Sequence, residues 1–246
     1  MHRARSLAVA VIASAASLPA YAQFWNAAAE FDITSNPNGV WGYGWLDASL
    51  QGPFQPFQQS VLYEGQLPMW FDDHRPHTWR NDRPGTAFGV APGQLSMHPA
   101  ANFDAAVVRW VNPDPTETGT LSVTAAFFPG DRGVMRVGVR INEVLRFEAL
   151  DSGLFTLELP NSDVQTIDFM VWGGYAFGNT PVEATVRVTT DRCIGDFNRD
   201  GGVDGSDVAD FFETWEAGDL EADLDLSGGV DGADVELFFA RWEAGC

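Results

Sequence analysis

The sequence predicts a mainly β chain: a β-sandwich of jelly-roll type followed by a small α-helical module. Three observations predict it. Between Ala105 and Thr189, aromatic, Val and Thr residues alternate with polar ones, the period-two signature of strands with one buried face. Gly, Pro, Asn and Asp punctuate these runs at intervals of about 8–12 residues, the spacing of a sandwich. From Cys193 the texture changes: prolines vanish, acids dominate and an internal repeat begins. A chain of 246 residues has room for one sizeable core plus such a module.

The N-terminus is read first. Arg3 and Arg5 precede an apolar run from Ser6 to Leu18, too short to span a bilayer. Pro19 and the small-residue segment Ala20-Tyr21-Ala22 follow. This is the layout of a secretory signal peptide cut before Gln23. The mature chain is expected to be secreted or held at the cell surface, where calcium is plentiful and disulfides form. No other stretch is long enough for a transmembrane segment. The expected organisation is a signal peptide over 1–22, a β-sandwich over 23–190 and a C-terminal module over 191–246.

Within the sandwich the expected strands are Ala105–Val111, Thr120–Phe128, Val134–Ile141, Val144–Ala149, Leu154–Leu159, Thr166–Trp172 and Val182–Thr189. In the third, Val137, Val139 and Ile141 alternate with Arg136, Gly138 and Arg140, which predicts an antiparallel strand with one wet face. Asn142-Glu143 reads as a tight turn into the next strand. No helix is expected here. The first eighty residues are less regular: "GPFQPFQQS" (Gly52–Ser60) reads as loop or edge strand, and "WFDDHRPHTWRNDRPG" (Trp70–Gly85) as a long surface loop.

Charge is distributed unevenly. The formal net charge is −20, all 14 basic residues are arginine, and residues 196–246 carry 15 acids against 2 Arg. Such a surface repels nucleic acid and anionic lipid and attracts cations. The acids are patterned. In "DFNRDGGVDGSD", Asp196, Asn198, Asp200, Asp204 and Asp207 stand at positions 1, 3, 5, 9 and 12, with Gly201 at 6 and the Gly202 carbonyl at 7. This is the EF-hand loop spacing, in which a tight coil aims oxygens at one centre. The second loop places Asp223, Asp225, Ser227, Gly229, Asp231 and Asp234 at positions 1, 3, 5, 7, 9 and 12. An all-oxygen, carboxylate-rich set selects Ca²⁺ over soft metals, so two Ca²⁺ ions are expected. Position 12 is Asp rather than Glu in both loops, which suggests the modest affinity of extracellular modules, on the order of 10⁻⁴–10⁻³ M. Val203 and Val230, at position 8, are expected to form a small bridge between the loops.

Each loop runs into one helix. Gly201–Asp219 and Gly228–Cys246 match at 13 of 19 positions with an offset of 27, which suits a compact pair about a pseudo-twofold axis. Val208, Phe211, Phe212 and Trp215 recur at helical spacing, as do Val235, Phe238, Phe239 and Trp242. The Val and one Phe of each set are expected in the core; the other Phe and the Trp are candidates for a partner surface. No entering helix precedes either loop.

This loop–helix pair, from Cys193 to Cys246, resembles a dockerin, the calcium module by which secreted bacterial proteins dock onto cohesins. The terminal Gly245-Cys246 and the Cys before the first loop resemble the GC-type dockerins that end many exported bacterial proteins. The resemblance implies a cohesin-like protein or a cell-surface scaffold as partner. It also implies that positions 10 and 11 of each loop, here Gly205, Ser206, Gly232 and Ala233, join Phe212, Trp215, Phe239 and Trp242 in partner docking. A single hydroxyl remains among those four loop positions, a departure from the cellulosomal pattern. Cys193 and Cys246 sit at the two ends of the module, where a disulfide is natural in an exported chain; a free Cys246 used for covalent attachment is the alternative.

The sandwich carries no catalytic signature: there is no G-x-S-x-G and no free Cys–His pair. Asp72, Asp73, His74 and His77 could contact a metal, but nothing fixes a third ligand type, and a solvated loop fits as well. Glu30, Asp32, Glu64 and Asp104 are the acids a glycosidase pair would draw on. Trp41, Tyr43, Trp45, Trp70 and Trp79 cluster in the first third. Exposed, they would stack on sugar rings; buried, they would plug the core. "NPNGVWGYGW", "LSMHPA" and "AVVRWVNPDPTETGTLSV" resemble an uncharacterised β-sandwich domain that precedes sorting tails in exported bacterial proteins. The functional expectation is a non-catalytic exported protein that binds calcium, docks, and presents a sandwich able to bind polysaccharide. The alternatives are an enzyme or enzyme accessory of polysaccharide breakdown and a purely structural envelope protein.

Overall fold

The computed structural model describes residues 21–73, 76–173, 178–190, 193–225 and 227–245. The expected signal peptide lies outside them, except for Tyr21 and Ala22, which open the first strand. The chain divides into two compact units, Tyr21–Arg192 and a second that holds Cys193–Cys246. No helix among the described residues is long and apolar enough to cross a membrane.

The first unit is two antiparallel sheets. One runs β12 (Gly153–Pro160), β9 (Gly119–Phe127), β14 (Thr180–Thr190), β7 (Leu95–His98), β6 (His77–Arg80), β5 (Leu67–Phe71), β4 (Gln59–Tyr63), with β1 (Tyr21–Asn26) also on β14. The other runs β11 (Val144–Leu150), β10 (Arg136–Ile141), β13 (Thr166–Trp172), β8 (Ala105–Val111), β2 (Trp41–Leu46), β3 (Gln55–Pro56). The connections β8–β9, β9–β10, β11–β12, β12–β13 and β13–β14 each pass between the sheets, while β10–β11 is a hairpin. That hairpin turns at Asn142 and Glu143, with φ of 47° and 66°, the left-handed pair a tight two-residue turn demands.

Alternation explains the core. On β10 and β13, Val137 faces Val171, Val139 faces Phe169 and Ile141 faces Ile167. On β14 and β9, Ala184 faces Ala125 and Val186 faces Val123. These inward residues meet between the sheets and are buried. At about 25 cal/mol per Å² of apolar surface removed from water, this layer is the main stabilising term of the unit.

Two expectations are corrected. Trp70–Gly85 is not one loop: β5 and β6 run through it as a paired hairpin, Met69 facing Trp79 and Phe71 facing His77. The outer face of β10 is wet at Arg136 but not at Arg140. Arg140 is 4% exposed and pairs with Asp168, itself 1% exposed. Asp168 also accepts two bonds from Arg109, at 2.6 and 3.0 Å. The segment between β2 and β3 covers this cluster. Leu50 O accepts from Arg140 at 3.0 Å, and the Phe54 ring lies 4.4 Å from the Arg109 guanidinium. Gly44 makes the cover possible, because a Cβ there would stand 2.1 Å from Gln55 O.

The second unit contains α1 (Gly205–Glu216), α2 (Gly232–Ala244) and a short 3₁₀ turn at Leu220–Ala222. Phe211 and Phe238 stack face to face, 4.2 Å apart at 6°, and Phe197 meets both edge-on. Both stacked rings are fully buried.

Removing the central carboxylate of the arginine cluster leaves buried positive charge unpaired. Asp168→Ala is expected to destabilise the sandwich by about 3–5 kcal/mol, read from the denaturant midpoint of the full chain. An unchanged midpoint would show that the cluster is not held as described.

Candidate functional site

Two regions gather chemistry-bearing side chains. The first is the pair of acidic loops. In each, the position-9 aspartate caps its helix and the position-12 aspartate completes a capping box. Asp207 accepts from Asn198 N at 3.1 Å and Asp204 N at 2.8 Å. Asp234 accepts from Leu224 N, Asp225 N and Asp231 N at 2.7, 3.1 and 2.8 Å. Position 1 behaves alike: Asp196 accepts from Asp200 N and Gly201 N, and Asp223 from Ser227 N and Gly228 N. Gly201 and Gly228 take φ of 91° and 90°, the left-handed bend that position 6 requires.

These carboxylates converge. Oxygens of Asp223, Asp225 and Asp234 lie within 4.8 Å of one another. Ca²⁺ holds its oxygens at about 2.3–2.6 Å, so ligands of one ion stand up to about 5 Å apart; the set fits. Asp234 Oδ1 takes two of these amides, whereas Asp234 Oδ2 and the oxygens of Asp223 each take one and keep a second lone pair. In the first loop Asn198 replaces one acid, donating from Nδ2 to Ser206 Oγ at 3.1 Å while its Oδ1 accepts from Asp200 N. Hydrogen bonds from Ser206 hold Asp204 below the usual carboxylate range, and those from Ser227 do the same for Asp225, so both stay charged. Gly202 and Gly229, at position 7, are exposed.

The two halves interlock reciprocally. Trp215 Nε1 donates to Asp231 O and Trp242 Nε1 to Asp204 O, each at 2.8 Å. Both pairs are related by the offset of 27, as a pseudo-twofold axis requires. The Val203–Val230 bridge expected from the sequence is not formed: among the described residues the isolated bridges are Asn38–Trp41 and Ala87–Val90. The indole bonds and the phenylalanine stack join the halves instead. Phe212 and Phe239, 6.1 Å apart, and both tryptophans are half-buried. Gly205, Ser206, Gly232 and Ala233 are exposed on the first helical turns, although the Ser206 hydroxyl is bonded to Asp204 at 2.7 Å. Cys193 precedes the first loop. Its expected partner Cys246 lies outside the described residues, as does His74.

The second region is a groove of about 600 Å³ on the outer face of the β5–β7 part of its sheet. Alternation sends Trp70, Leu95 and Met97 to the core and Leu67, Met69, His77, Trp79 and His98 to the groove. Of the five aromatics singled out in the sequence, Trp79 lines the groove and the other four do not. Trp41 and Tyr43 are fully buried, Trp70 is 6% exposed and Trp45 half-buried; burial pushes the Tyr43 phenol above its usual range. Trp79, 3% exposed, reaches the groove as part of its floor. The groove's solvent-facing aromatics are ones the sequence did not single out, Tyr63 at 44% and Phe88 at 45% exposure. Phe88 meets Trp79 edge-on at 6.1 Å. It sits at the tip of the Ala87–Val90 turn with φ of 48°, a left-handed position that costs a bulky residue energy. Gly89 follows, close enough that a Cβ would lie 2.9 Å from Asp131.

Polar groups line the same groove. Asn179 Oδ1 accepts from Trp79 Nε1 at 3.0 Å, and Asp131 Oδ1 accepts from Asn179 N at 3.0 Å. Asp72 Oδ1 accepts from Gln58 N at 2.8 Å. His77 and His98 stack at 4.7 Å. His98 Nδ1 lies 2.6 Å from Pro99 O; a carbonyl can only accept, so Nδ1 carries the proton. Burial first, and His98 second, pushes His77 down to about 3. Burial also lowers His98. The four acids a glycosidase would draw on each have a partner in the fold. Glu30 accepts from Trp41 Nε1, Asp32 from Thr34 N and Asp104 from Asn102, while Glu64 pairs with Arg83.

No family model matches the chain, and no curated protein does. Among solved structures, it is similar to a protein described as "CBM4 structure and function", at 14% identity over 64% of this chain and 91% of that one, TM-score 0.27. A family 11 carbohydrate-binding module from Clostridium thermocellum, in complex with a β-1,3-1,4-mixed-linked tetrasaccharide, is 12% identical over 59% and 94%, TM-score 0.24. A family 35 module from the same organism is 8% identical over 37% and 76%, TM-score 0.27. At these scores the likeness decides neither ligand nor activity; the two-sheet fold follows from the strand pairing.

The His77 value gives a pH prediction. Its folded pKa is below the unfolded 6.5, so the unfolded chain takes up the proton first. The stability it contributes is complete above pH 6.5 and is lost as the pH falls toward 3. Thermal midpoints of wild type should fall more steeply between about pH 7 and pH 4 than those of His77→Gln. Parallel slopes would contradict a neutral, desolvated imidazole here.

Proposed function

We propose that this is an exported, non-catalytic protein. Its C-terminal loop–helix pair binds two Ca²⁺ ions and docks, in the manner of a dockerin, onto a cohesin-like partner or a cell-surface scaffold. Its β-sandwich is the part that binds glycan. The observation that carries the reading is the convergence of Asp223, Asp225 and Asp234 oxygens within 4.8 Å in a loop repeated at the same spacing.

Bound Ca²⁺ would neutralise the carboxylates. The chain's own part is to hold them. Position-6 glycines bend the loops, the capping boxes fix positions 9 and 12, and the crossed indoles clamp one half on the other. The surface left for a partner is the exposed first turns at Gly205, Ser206, Gly232 and Ala233, flanked by Phe212, Trp215, Phe239 and Trp242. Cys193 paired with Cys246 would close a loop of about fifty residues, which stabilises by a few kcal/mol. An enzyme would need two carboxylates opposed across an open cleft. Asp72 and Asp131 in the groove each accept a backbone amide, which suits tethering of loops rather than acid–base work.

Calorimetric titration of the mature chain with Ca²⁺ should show two binding events. Asp225→Ala, which removes an exposed ligand and spares the capping box, should abolish one of them. Two undiminished events in the variant, or none in wild type, would refute the assignment.

A further inference from the structure

We infer that the groove on the outer face of β5–β7 is the glycan site and that it takes an uncharged polysaccharide chain. The inference rests on the reading of the sandwich as the glycan-binding part and specifies where and what it binds. A cavity of about 600 Å³ is within the range of clefts that enclose small ligands. Its polar and apolar groups are arranged as a sugar requires. Leu67, Met69 and the Trp79 indole give an apolar floor. Tyr63 and Phe88 stand exposed among its lining residues, and an aromatic face packs against the C–H face of a pyranose.

The hydrogen-bonding groups decide the charge of the ligand. Asp72 and Asp131 line the groove, and among the described residues no arginine does. Sugar hydroxyls can donate to both carboxylates. Asn179 commits Oδ1 to Trp79, which leaves its Nδ2 hydrogens to donate to a ring or hydroxyl oxygen. The two imidazoles sit in a desolvated stack and supply no positive charge at neutral pH. An anionic chain, such as a polyuronate, would meet two carboxylates and, among the described lining residues, no compensating cation.

The turn that carries Phe88 adds a separate argument. Phe88 is held at φ 48° and is nearly half exposed, its ring edge-on to Trp79 in the groove floor. Strain of this kind concentrates where a side chain is presented to a ligand.

The test is affinity electrophoresis and calorimetry of the mature chain against hydroxyethylcellulose, xylan, mixed-linked β-glucan, galactomannan and starch, with polygalacturonate and alginate as charged chains. Retention by at least one neutral polysaccharide, weakened roughly tenfold or more by Tyr63→Ala and by Phe88→Ala, is the expected result. Leu154→Ala, at an exposed apolar position on β12, should bind as wild type. Neutral-glycan binding that both groove variants retain in full would overturn the groove while leaving the sandwich reading intact. Binding of the polyuronates in preference, or of no polysaccharide, would overturn the inference. The Ca²⁺ titration above is read on the same samples, so failure of the tail assignment would be seen separately.

Discussion

Carboxylates crowded within a few ångströms repel one another, and the C-terminal unit is organised around that repulsion. Part of the negative charge is met by backbone amides. Asp207 and Asp234, both fully buried, accept N–H bonds from positions 3 and 9 of their own loops. Amides are dipoles, not charges, so they orient the acids without cancelling them. What remains in the second loop is a pre-shaped negative cup of Asp223, Asp225 and Asp234, and on the reading proposed here a divalent ion completes it and its counterpart in the first loop. The twofold crossing of Trp215 and Trp242 means that neither cup is independent. Each indole holds the carbonyl of the aspartate that caps the opposite helix, so ordering one loop supports the other.

The sandwich follows a different constraint. A strand has two faces, and here the inner ones take the large aromatics. The outer face of one sheet is closed by the segment around Phe54, over a buried cluster of Asp168 with two arginines. The outer face of the other stays open along β5 to β7. The two sheets therefore differ: the first is covered over Arg109, Arg140 and Asp168, and the second carries a groove with aromatic residues at the surface.

Much of this was legible in the residues. The run from β8 to β14 follows from alternation, with bounds within about two residues of those expected, because each strand is long enough to show its period. The loops were legible because their oxygens all come from twelve consecutive positions. The hairpin of β5 and β6 was not. Its strands are only five and four residues long, and the polar stretch Asp72-Asp73-His74 between them makes the whole read as loop. The groove was hidden for a similar reason. Phe88, Asp131 and Asn179 arrive from three separate turns, and no local spacing links them. The buried Arg140 was misread because alternation reports which side a residue faces, not whether another segment covers that side. Gly42 and Gly44 inside a strand were the available signal of such a close approach.

The most direct test of the account is the anomalous scattering of crystals of the mature chain grown with Ca²⁺. Two peaks are predicted, one ringed by Asp196, Asn198, Asp200 and Asp207 and one by Asp223, Asp225, Ser227 and Asp234. Density for both loops with no peak in either, at millimolar Ca²⁺, would contradict it.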